Sequence, residues 1–136
     1  MQAEERKITL EITNLPPRPI FVLADRNRIL EVLTNLIVNG IKYGKKKGYV
    51  QVSFHDLDDN IMVEVTDNGI GIEKKFLPRI FERFYRVDKS RSREQGGTGL
   101  GLSIVKHIIE AHNQSINVRS VVDQGTTFNF TLEKAK

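Results

Sequence analysis

Two asparagines, Asn35 and Asn39, lie four positions apart in a segment whose apolar residues recur at helical spacing. At about 100° of turn per residue, these two and Lys42 fall within an arc of roughly 60°, with Tyr43 at its edge. Asparagine is a poor helix former, and two in a helix interior lower its stability unless they have another role. An amide oxygen suits Mg²⁺ that also binds water and phosphates, while Lys42 could reach a phosphate and Tyr43 could lie against a flat ring. This arc is predicted to lie opposite the apolar stripe of the helix, which consists of Ile29, Leu33, Leu36, Ile37 and Ile41. The polar surface of an ordinary helix would look the same, so this segment alone leaves both interpretations open.

A second group of residues follows a predicted strand, where Asp67 is succeeded by Asn68, Gly69 and Gly71. A carboxylate at a strand end can accept a hydrogen bond from an exocyclic amine, which adenine has and guanine lacks at the same position. Glycines let the backbone approach a base or sugar closely and adopt positive φ. The same residues also suit a plain Asp-Asn-Gly turn, which is the alternative interpretation.

A glycine-rich stretch, Gly96-Gly97-Thr98-Gly99-Leu100-Gly101, precedes an apolar helical segment. Backbone amides at the positive end of a helix attract anions. The stretch contains neither G-x-x-x-x-G-K-[ST] nor G-x-G-x-x-G, so a nucleotide site here is of neither the Walker nor the Rossmann type. The alternative is a flexible linker before a helix.

Residues 81–86 contain three aromatic side chains, which are expected to pack and anchor a loop, and two arginines. Arg83 and Arg86 are ordinary surface residues by default. They become phosphate contacts if the following loop closes over a nucleotide.

The elements that position these residues follow from apolar periodicity. Helices are predicted over residues 25–43, with Asp25 as the N-cap and Gly44 as the C-cap, over 76–85 and over 98–111. A polar loop is predicted over residues 86–97. Six segments alternate as strands, and the helices are expected to lie on one face of a mixed sheet; the strands are residues 7–13, 20–23, 49–55, 61–66, 116–122 and 127–132.

Length and composition limit the classes of protein that need consideration. The 136 residues suit one domain with a real core. The chain has no cysteine, which excludes disulfides and thiolate metal sites and fits a reducing compartment. No apolar run approaches the ~20 residues that cross a bilayer, and the start is too polar for a signal peptide. The net charge of +4 is locally concentrated at residues 42–47 and 79–93, which fits either solvated loops or a polyanionic ligand.

Taken in order, these motifs resemble those of bacterial sensor histidine kinases. Residues 35–43, 67–72, 81–86 and 97–102 resemble the N box, the first glycine box, the F box and the second glycine box, and Gly125-Thr126 resembles the end of a third glycine box. The resemblance runs from about Lys7 to the C-terminus. It implies the Bergerat (GHKL) ATP-binding fold, an α/β (α+β) two-layer sandwich. In this fold a mixed, mostly antiparallel sheet of about five strands packs under three helices, with a flexible ATP lid at about residues 86–99.

The resemblance also implies roles for individual residues. Asn39 would be the Mg²⁺ ligand, Asp67 the carboxylate that reads adenine, Lys42 a phosphate contact and Tyr43 a neighbour of the base. Arg86, and less directly Arg83, would neutralise charge near the transferred phosphate. The full implied nucleotide-binding set is Asn35, Asn39, Lys42, Tyr43, Asp67, Gly69, Gly71, Ile72, Arg83, Arg86, Gly97, Thr98, Gly99, Leu100, Gly101, Leu102 and Thr126, with catalytic roles for Asn35, Lys42 and Arg86.

Asn35 occupies the place where hydrolysing relatives in the superfamily (gyrase and mismatch-repair ATPases) have a glutamate that activates water. An amide cannot act as a general base, so the resemblance implies transfer of the phosphoryl group to another nucleophile. One alternative is an ATPase clamp like those of gyrase, mismatch-repair proteins or heat-shock chaperones, which needs a glutamate at position 35. A second is a degenerate nucleotide-sensing or protein-docking module, and the intact Asn39, Asp67 and glycine loops argue against it. An anti-sigma serine kinase would share the fold.

The sequence departs from the family pattern at several positions. Asp123 or Gln124 replaces the first glycine of the third box, and His112-Asn113-Gln114 replaces a His-Gly-Gly turn. Asn113 tolerates left-handed backbone, so the turn can persist. Gly40 stands where alanine is commoner. These changes bear on the shape of the pocket and not on the fold.

The family's phosphate acceptor is a histidine on a separate dimerisation domain. His55, His107 and His112 lack that context and are expected to be structural or superficial. Residues 1–136 are therefore expected to be a single catalytic domain. The expected partners are its own dimerisation/phosphoacceptor domain and a response regulator, with no nucleic acid. The isolated domain is expected to be monomeric, the full-length protein homodimeric, and the domain the cytoplasmic part of a membrane-anchored kinase.

Overall fold

The computed structural model describes residues 7–83, 85 and 101–135. Its five strands form one sheet in the order β1-β2-β3-β5-β4. β1 and β2 run parallel, and the other three neighbouring pairs are antiparallel. The predicted mixed, mostly antiparallel sheet is therefore confirmed. The strands are β1 (Thr9–Thr13), β2 (Tyr49–Leu57), β3 (Asn60–Asp67), β4 (Ile116–Val121) and β5 (Gly125–Glu133).

Two α-helices and one 3-10 helix are present in the described part of the chain: α1 (Arg26–Lys42), the 3-10 helix (Lys74–Arg79) and α2 (Gly101–Ala111). The Asp25 side chain accepts hydrogen bonds from the backbone of Asn27 and Arg28, which confirms it as the N-cap of α1. The C-cap is Tyr43, one residue before the predicted Gly44. Among these described residues, neither α-helix is long and apolar enough to cross a membrane.

Two predicted elements differ in the structure. The helix predicted over residues 76–85 is instead a 3-10 helix that begins earlier and contains Pro78, which has no backbone N–H to continue an α-helical ladder. The strand predicted over residues 20–23 is wrong, because only an isolated bridge joins Val22 to Lys134. Residues 20–23 lie beside the end of β5, at Glu133. Because β5 ends there, the pairing does not extend beyond one bridge.

The helices pack on the inner face of the sheet, whose core includes Val50, Val65 and Phe128. The buried face of α1 is centred on Val32 and Leu36. Ile29, Leu33 and Ile37 of the predicted stripe are only half-buried. The buried face is rotated toward the asparagines because α2 packs beside α1 on that side. Asn35 and Asn39 consequently border the buried face. The apolar periodicity had predicted that they would lie opposite it, and that prediction is wrong.

The turn after α2 confirms that an asparagine can replace glycine there. Asn113 has φ of 58°, in the left-handed region. Its backbone N–H bonds to the carbonyl of Glu110 at 2.9 Å, and that of Gln114 bonds to the carbonyl of Ile109 at 3.1 Å, the pattern of a Schellman motif.

Replacing Asn113 should therefore reveal the cost of its left-handed backbone. Asn113→Gly is expected to raise the free energy of unfolding by about 0.5 kcal/mol, and Asn113→Ala to lower it by about 1 kcal/mol. Urea unfolding measures both. At His107, exposed inside α2, the order should be reversed, with alanine more stable than glycine. Equal stability of the two position-113 variants would contradict the assignment.

Candidate nucleotide site

Asp67 ends β3 on the inner face of the sheet. Alternation along β3 buries Ile61, Val63 and Val65 and places Asp67 on the same side, where it is 8% exposed. Its Oδ1 accepts a hydrogen bond from the backbone N–H of Gly69 at 2.9 Å. Burial raises the pKa of the Asp67 carboxyl to about 6, while hydrogen bonds from the backbone of Gly69 and Thr126 oppose the rise. At neutral pH the site therefore holds a buried, ionised hydrogen-bond acceptor.

The loop after Asp67 packs directly against the end of α1. A Cβ on Gly69 would lie 2.2 Å from the Tyr43 carbonyl oxygen and 3.0 Å from Asp67 Oδ1. The Ile70 backbone N–H donates to the same Tyr43 oxygen at 3.1 Å. Only glycine permits this approach at position 69, which brings the Asp67 loop beside Tyr43.

Helix α1 also approaches Asp67 along its own length. A Cβ on Gly40 would lie 3.6 Å from the Asp67 Cβ and 3.1 Å from Val50 Cγ2. The departure from alanine at this position therefore has a steric basis, because an alanine methyl would press on Val50. Asn39, the adjacent residue, is half-buried.

Asn35 faces the first turn of α2. A Cβ on Gly101 would lie 3.8 Å from Asn35 Oδ1, with no closer neighbour among the described residues outside the helix's own backbone. The side chain of Asn35 and the N-terminal end of α2 thus face each other. Lys42 is the last residue of α1 and, like Tyr43, is half-buried.

The turn between β4 and β5 closes the other side of the site. Gly71 has φ of +73° and Gly125 has φ of +126°, both in the region that favours glycine. A Cβ on Gly71 would lie 2.2 Å from the Val121 carbonyl oxygen, and one on Gly125 would lie 1.9 Å from the Asp67 carbonyl oxygen. The first and third glycine boxes therefore pack on each other through backbone atoms.

Of the two residues considered as replacements for the missing glycine of the third box, Asp123 adopts the left-handed conformation, with φ of 66°. Its backbone N–H donates to the Ile70 carbonyl at 2.8 Å. Aspartate tolerates this conformation better than most side chains, so the turn keeps its contact with the first glycine box.

Ser120 is a residue of this site that the sequence analysis did not identify. Its Oγ accepts a hydrogen bond from the Ile72 backbone at 2.7 Å, donates to the Gly125 carbonyl at 2.9 Å, and lies 2.7 Å from Thr126 Oγ1. A signal was available in the alternation of β4, which directs Ile116 and Val118 inward and places a polar residue at the next inward position.

The implied site residues thus lie at several places in the fold. Asn35 and Gly101 face each other, while the Gly40 backbone of α1, Tyr43, Gly69 and Thr126 approach Asp67. Ile72 and Leu102 are half-buried against the core nearby. Arg83 is exposed just past the 3-10 helix, and its contact with phosphate stays a prediction. The whole lid predicted at about 86–99 lies outside the described residues, and with it Arg86, Gly97, Thr98 and Gly99; Leu100 lies outside them too.

The three histidines lie away from this site: two of them make contacts elsewhere in the fold, and the third is exposed. His55 pairs with Glu64 at 2.7 Å on the opposite face of the sheet. His112 accepts a hydrogen bond from the backbone of Asp25 at 3.0 Å, and its Nδ1 lies 2.8 Å from the Ile108 carbonyl, so it links the start of α1 to the end of α2. His107 is exposed on α2.

Comparison with known proteins agrees with the site. Residues 24–136 match the family described as histidine kinase-, DNA gyrase B-, and HSP90-like ATPase. The sensor histidine kinase WalK of Bacillus subtilis (strain 168) is 45% identical over 123 residues, which is 89% of this chain and 20% of WalK. The chain therefore spans about a fifth of the length of this curated relative.

Solved structures give the same result. The catalytic domain of histidine kinase ThkA superposes with a TM-score of 0.78 and 31% identity, over 98% of this chain and 83% of that one. Full-length ShkA in complex with AMPPNP gives a TM-score of 0.83 and 28% identity, over 98% of this chain and 27% of the ShkA chain. ThkA in complex with response regulator protein TrrA gives a TM-score of 0.78 and 27% identity, over 98% of this chain and 36% of the ThkA chain. The chain belongs to the histidine kinase-, DNA gyrase B- and HSP90-like ATPase family, and its resemblance to histidine kinase catalytic domains is confirmed.

Proposed function

We propose that this chain is a single ATP-binding catalytic domain that transfers the γ-phosphoryl group of Mg·ATP to a histidine on a separate dimerisation/phosphoacceptor domain in two-component signalling. The observation that carries the proposal is the buried Asp67 carboxylate, enclosed by the end of α1 and two glycine-containing loops. The complex of ShkA with AMPPNP supports an adenine nucleotide as the ligand.

Asp67 would read the base. Ionised at neutral pH, it presents an acceptor to the exocyclic amine of adenine, whereas the carbonyl of guanine at that position would meet a second acceptor. A buried hydrogen bond between a charged and a neutral group contributes about 1.5 to 3 kcal/mol, and a mismatch loses that and leaves a buried group unpaired. This part of the site therefore provides base specificity.

The donor set near Asn39 fits Mg²⁺ that arrives with phosphates. No group of three or more His, Cys, Asp or Glu side chains capable of holding a metal occurs among the described residues. A neutral amide oxygen on Asn39 would leave the remaining positions to phosphate oxygens and water, which is the arrangement Mg²⁺ favours with nucleotides. When bound, Mg²⁺ would neutralise phosphate charge. Lys42, Arg86 and Arg83 would add positive charge around the same phosphates.

Asn35 and the histidines bear on where the phosphoryl group goes. The Asn35 amide cannot take a proton from water, so this position does not favour hydrolysis. The histidines of the chain lie on the opposite sheet face, between the helix ends, or exposed on α2. The acceptor must then come from another domain. The ThkA complex with TrrA supports a response regulator as the next partner. A monomeric isolated domain, a homodimeric full-length kinase and a cytoplasmic location stay predictions.

The role of Asn39 can be tested through the Mg²⁺ dependence of ATP binding. Asn39→Ala is expected to weaken Mg·ATP binding by about tenfold, the value of one charge-assisted ligand contact, while ATP binding in EDTA stays at the wild-type level. Calorimetric titration with and without Mg²⁺ measures both. Asn129→Ala, on the opposite face of the sheet, is the matched control and should bind like the wild type. If Mg²⁺ raises the ATP affinity of Asn39→Ala as much as that of the wild type, Asn39 is not a Mg²⁺ ligand.

A further inference from the structure

Ser120 contacts three polar groups on the inner face of β4. The backbone N–H of Ile72 lies 2.7 Å from its Oγ, the carbonyl oxygen of Gly125 lies 2.9 Å away, and the hydroxyl oxygen of Thr126 lies 2.7 Å away. These three groups belong to the first glycine box and to the end of the third. Ser120, which lies outside both boxes, thus bonds to both of them through one hydroxyl.

The direction of each hydrogen bond follows from counting protons. A serine hydroxyl has one proton to donate and two lone pairs to accept. The Gly125 carbonyl can only accept, so it takes the Ser120 proton. The Ile72 N–H can only donate, so it occupies one lone pair of Ser120. In the remaining contact the Thr126 hydroxyl must be the donor and Ser120 the acceptor.

Thr126 therefore has its hydroxyl proton committed to Ser120. Thr126 pairs with Asp67 across β3 and β5 and is 6% exposed, and its backbone N–H donates to the Asp67 carboxylate. Cross-strand neighbours on one face have Cβ atoms about 4.5 to 5.5 Å apart, within reach of one ligand edge. The free lone pairs of Thr126 and the Asp67 carboxylate are both acceptors, with no hydroxyl proton between them.

We infer that Ser120 is a specificity-determining positioning residue: by taking the hydroxyl proton of Thr126, it keeps this edge of the site as two acceptors that favour a 6-amino purine over a 6-oxo purine. Thr126 and Asp67 would contact the base directly or through one water, and Ser120 would act through Thr126. The inference rests on the proposed binding of a purine nucleotide at Asp67.

The test is the ratio of the dissociation constants for inosine triphosphate and ATP, measured by titration calorimetry. Ser120→Ala frees the Thr126 hydroxyl to rotate and donate to a 6-oxo group, so the ratio should fall about fivefold to tenfold, the value of one hydrogen bond. Thr126→Val should lower the ratio as well. In the Thr126→Val background, Ser120→Ala should cause no further fall, because its effect passes through Thr126.

Thr127→Val is the matched control. It removes a hydroxyl bonded to Thr66 at 3.0 Å, on the opposite face of the same two strands, and should leave the ratio unchanged. If Ser120→Ala does not fold, Ser120→Cys keeps a similar shape with a weaker acceptor and should show a smaller fall in the same direction. Rescue of the ratio by Ser120→Thr, which restores the hydroxyl, would support the assignment.

The outcomes separate this inference from the proposed function. If the wild type binds ATP at least tenfold tighter than inosine triphosphate and Ser120→Ala, or Ser120→Cys in its place, keeps the ratio, the role of Ser120 is wrong and the function stands. A fall that persists in the Thr126→Val background would show a structural effect that does not pass through Thr126, and would also overturn the inference. If the wild type binds neither nucleotide, the proposed function itself is wrong.

Discussion

Asp67→Asn is expected to weaken ATP binding by about 100-fold or more and, at pH 7, to raise the free energy of unfolding. The loss of binding follows because the variant gives up a charged acceptor, and its amide can present a donor to the donor amine of adenine, a combined cost of about 3 kcal/mol. The gain in stability follows because the wild type holds an ionised carboxylate that is 8% exposed, which costs free energy even with two backbone donors.

The pH dependence of stability gives the sign of this second effect. The folded pKa of Asp67, about 6, lies above the ordinary value of 3.8, so between these values the folded state binds more protons than the unfolded state. The contribution of Asp67 to stability is therefore fully present below about pH 4 and is lost as the pH rises through about 6. The full difference amounts to about 3 kcal/mol, of which the variant should recover about 1 to 3 kcal/mol.

Urea unfolding between pH 4.5 and pH 8, together with calorimetric titration with ATP, measures both effects. Asp56→Asn is the matched control, since that carboxylate is exposed and its pKa is lowered by the hydrogen bond from Lys134. Its loss should not stabilise the fold at neutral pH. An Asp67→Asn variant that binds ATP within threefold of the wild type would remove Asp67 from the base site, and an unchanged pH profile would show that its burial costs nothing.

Gly125→Ala is expected to lower the free energy of unfolding by about 3 kcal/mol or more, which could prevent folding at 37 °C. Position 125 has φ of +126°, and the added Cβ would lie 1.9 Å from the Asp67 carbonyl and 2.8 Å from the Asn68 Cα. Both neighbours are backbone atoms in or next to β3, so relief of the clash requires β3 and β5 to separate at the base site.

Urea unfolding of Gly125→Ala measures this effect, with Gly101→Ala as the control. In the part of the chain that the structure describes, the added Cβ at position 101 would meet nothing closer than 3.8 Å outside its own helix, so that variant should be as stable as the wild type or slightly more stable. A Gly125→Ala variant within 1 kcal/mol of the wild type would contradict the close packing of the two glycine boxes.

What the sequence predicts well here is what local patterns determine. The sheet, the N-cap Asp25 and the left-handed Asn113 follow from alternation, capping chemistry and side-chain tolerance, all of which act within a few residues. Asp67 could be assigned to the end of a strand for the same reason. Whether its neighbours form a turn or a binding site depends on what packs against them, and the resemblance to a family supplied that part.

The helix predicted over residues 76–85 fails for a local reason, because Pro78 cannot continue an α-helical ladder. The other errors have a different cause, since each depends on contacts between distant segments. The buried face of α1 is set partly by α2, and residues 20–23 form a single bridge because of where β5 ends. The alternation of β4 indicates that Ser120 faces inward, but its type does not reveal its role, because serine is common in strands and the role arises from contacts with Ile72, Gly125 and Thr126. The partners of such a serine become known only from the tertiary structure.

The most direct test of the proposed function is transfer of phosphate to histidine. The chain would be mixed with γ-labelled ATP, Mg²⁺ and a separately produced helical domain that carries the proposed phosphoacceptor histidine. Acid-labile, base-stable label should appear on the histidine of that domain and should be absent with Asp67→Asn. Steady release of labelled inorganic phosphate without phosphohistidine would contradict the account and indicate a hydrolysing ATPase.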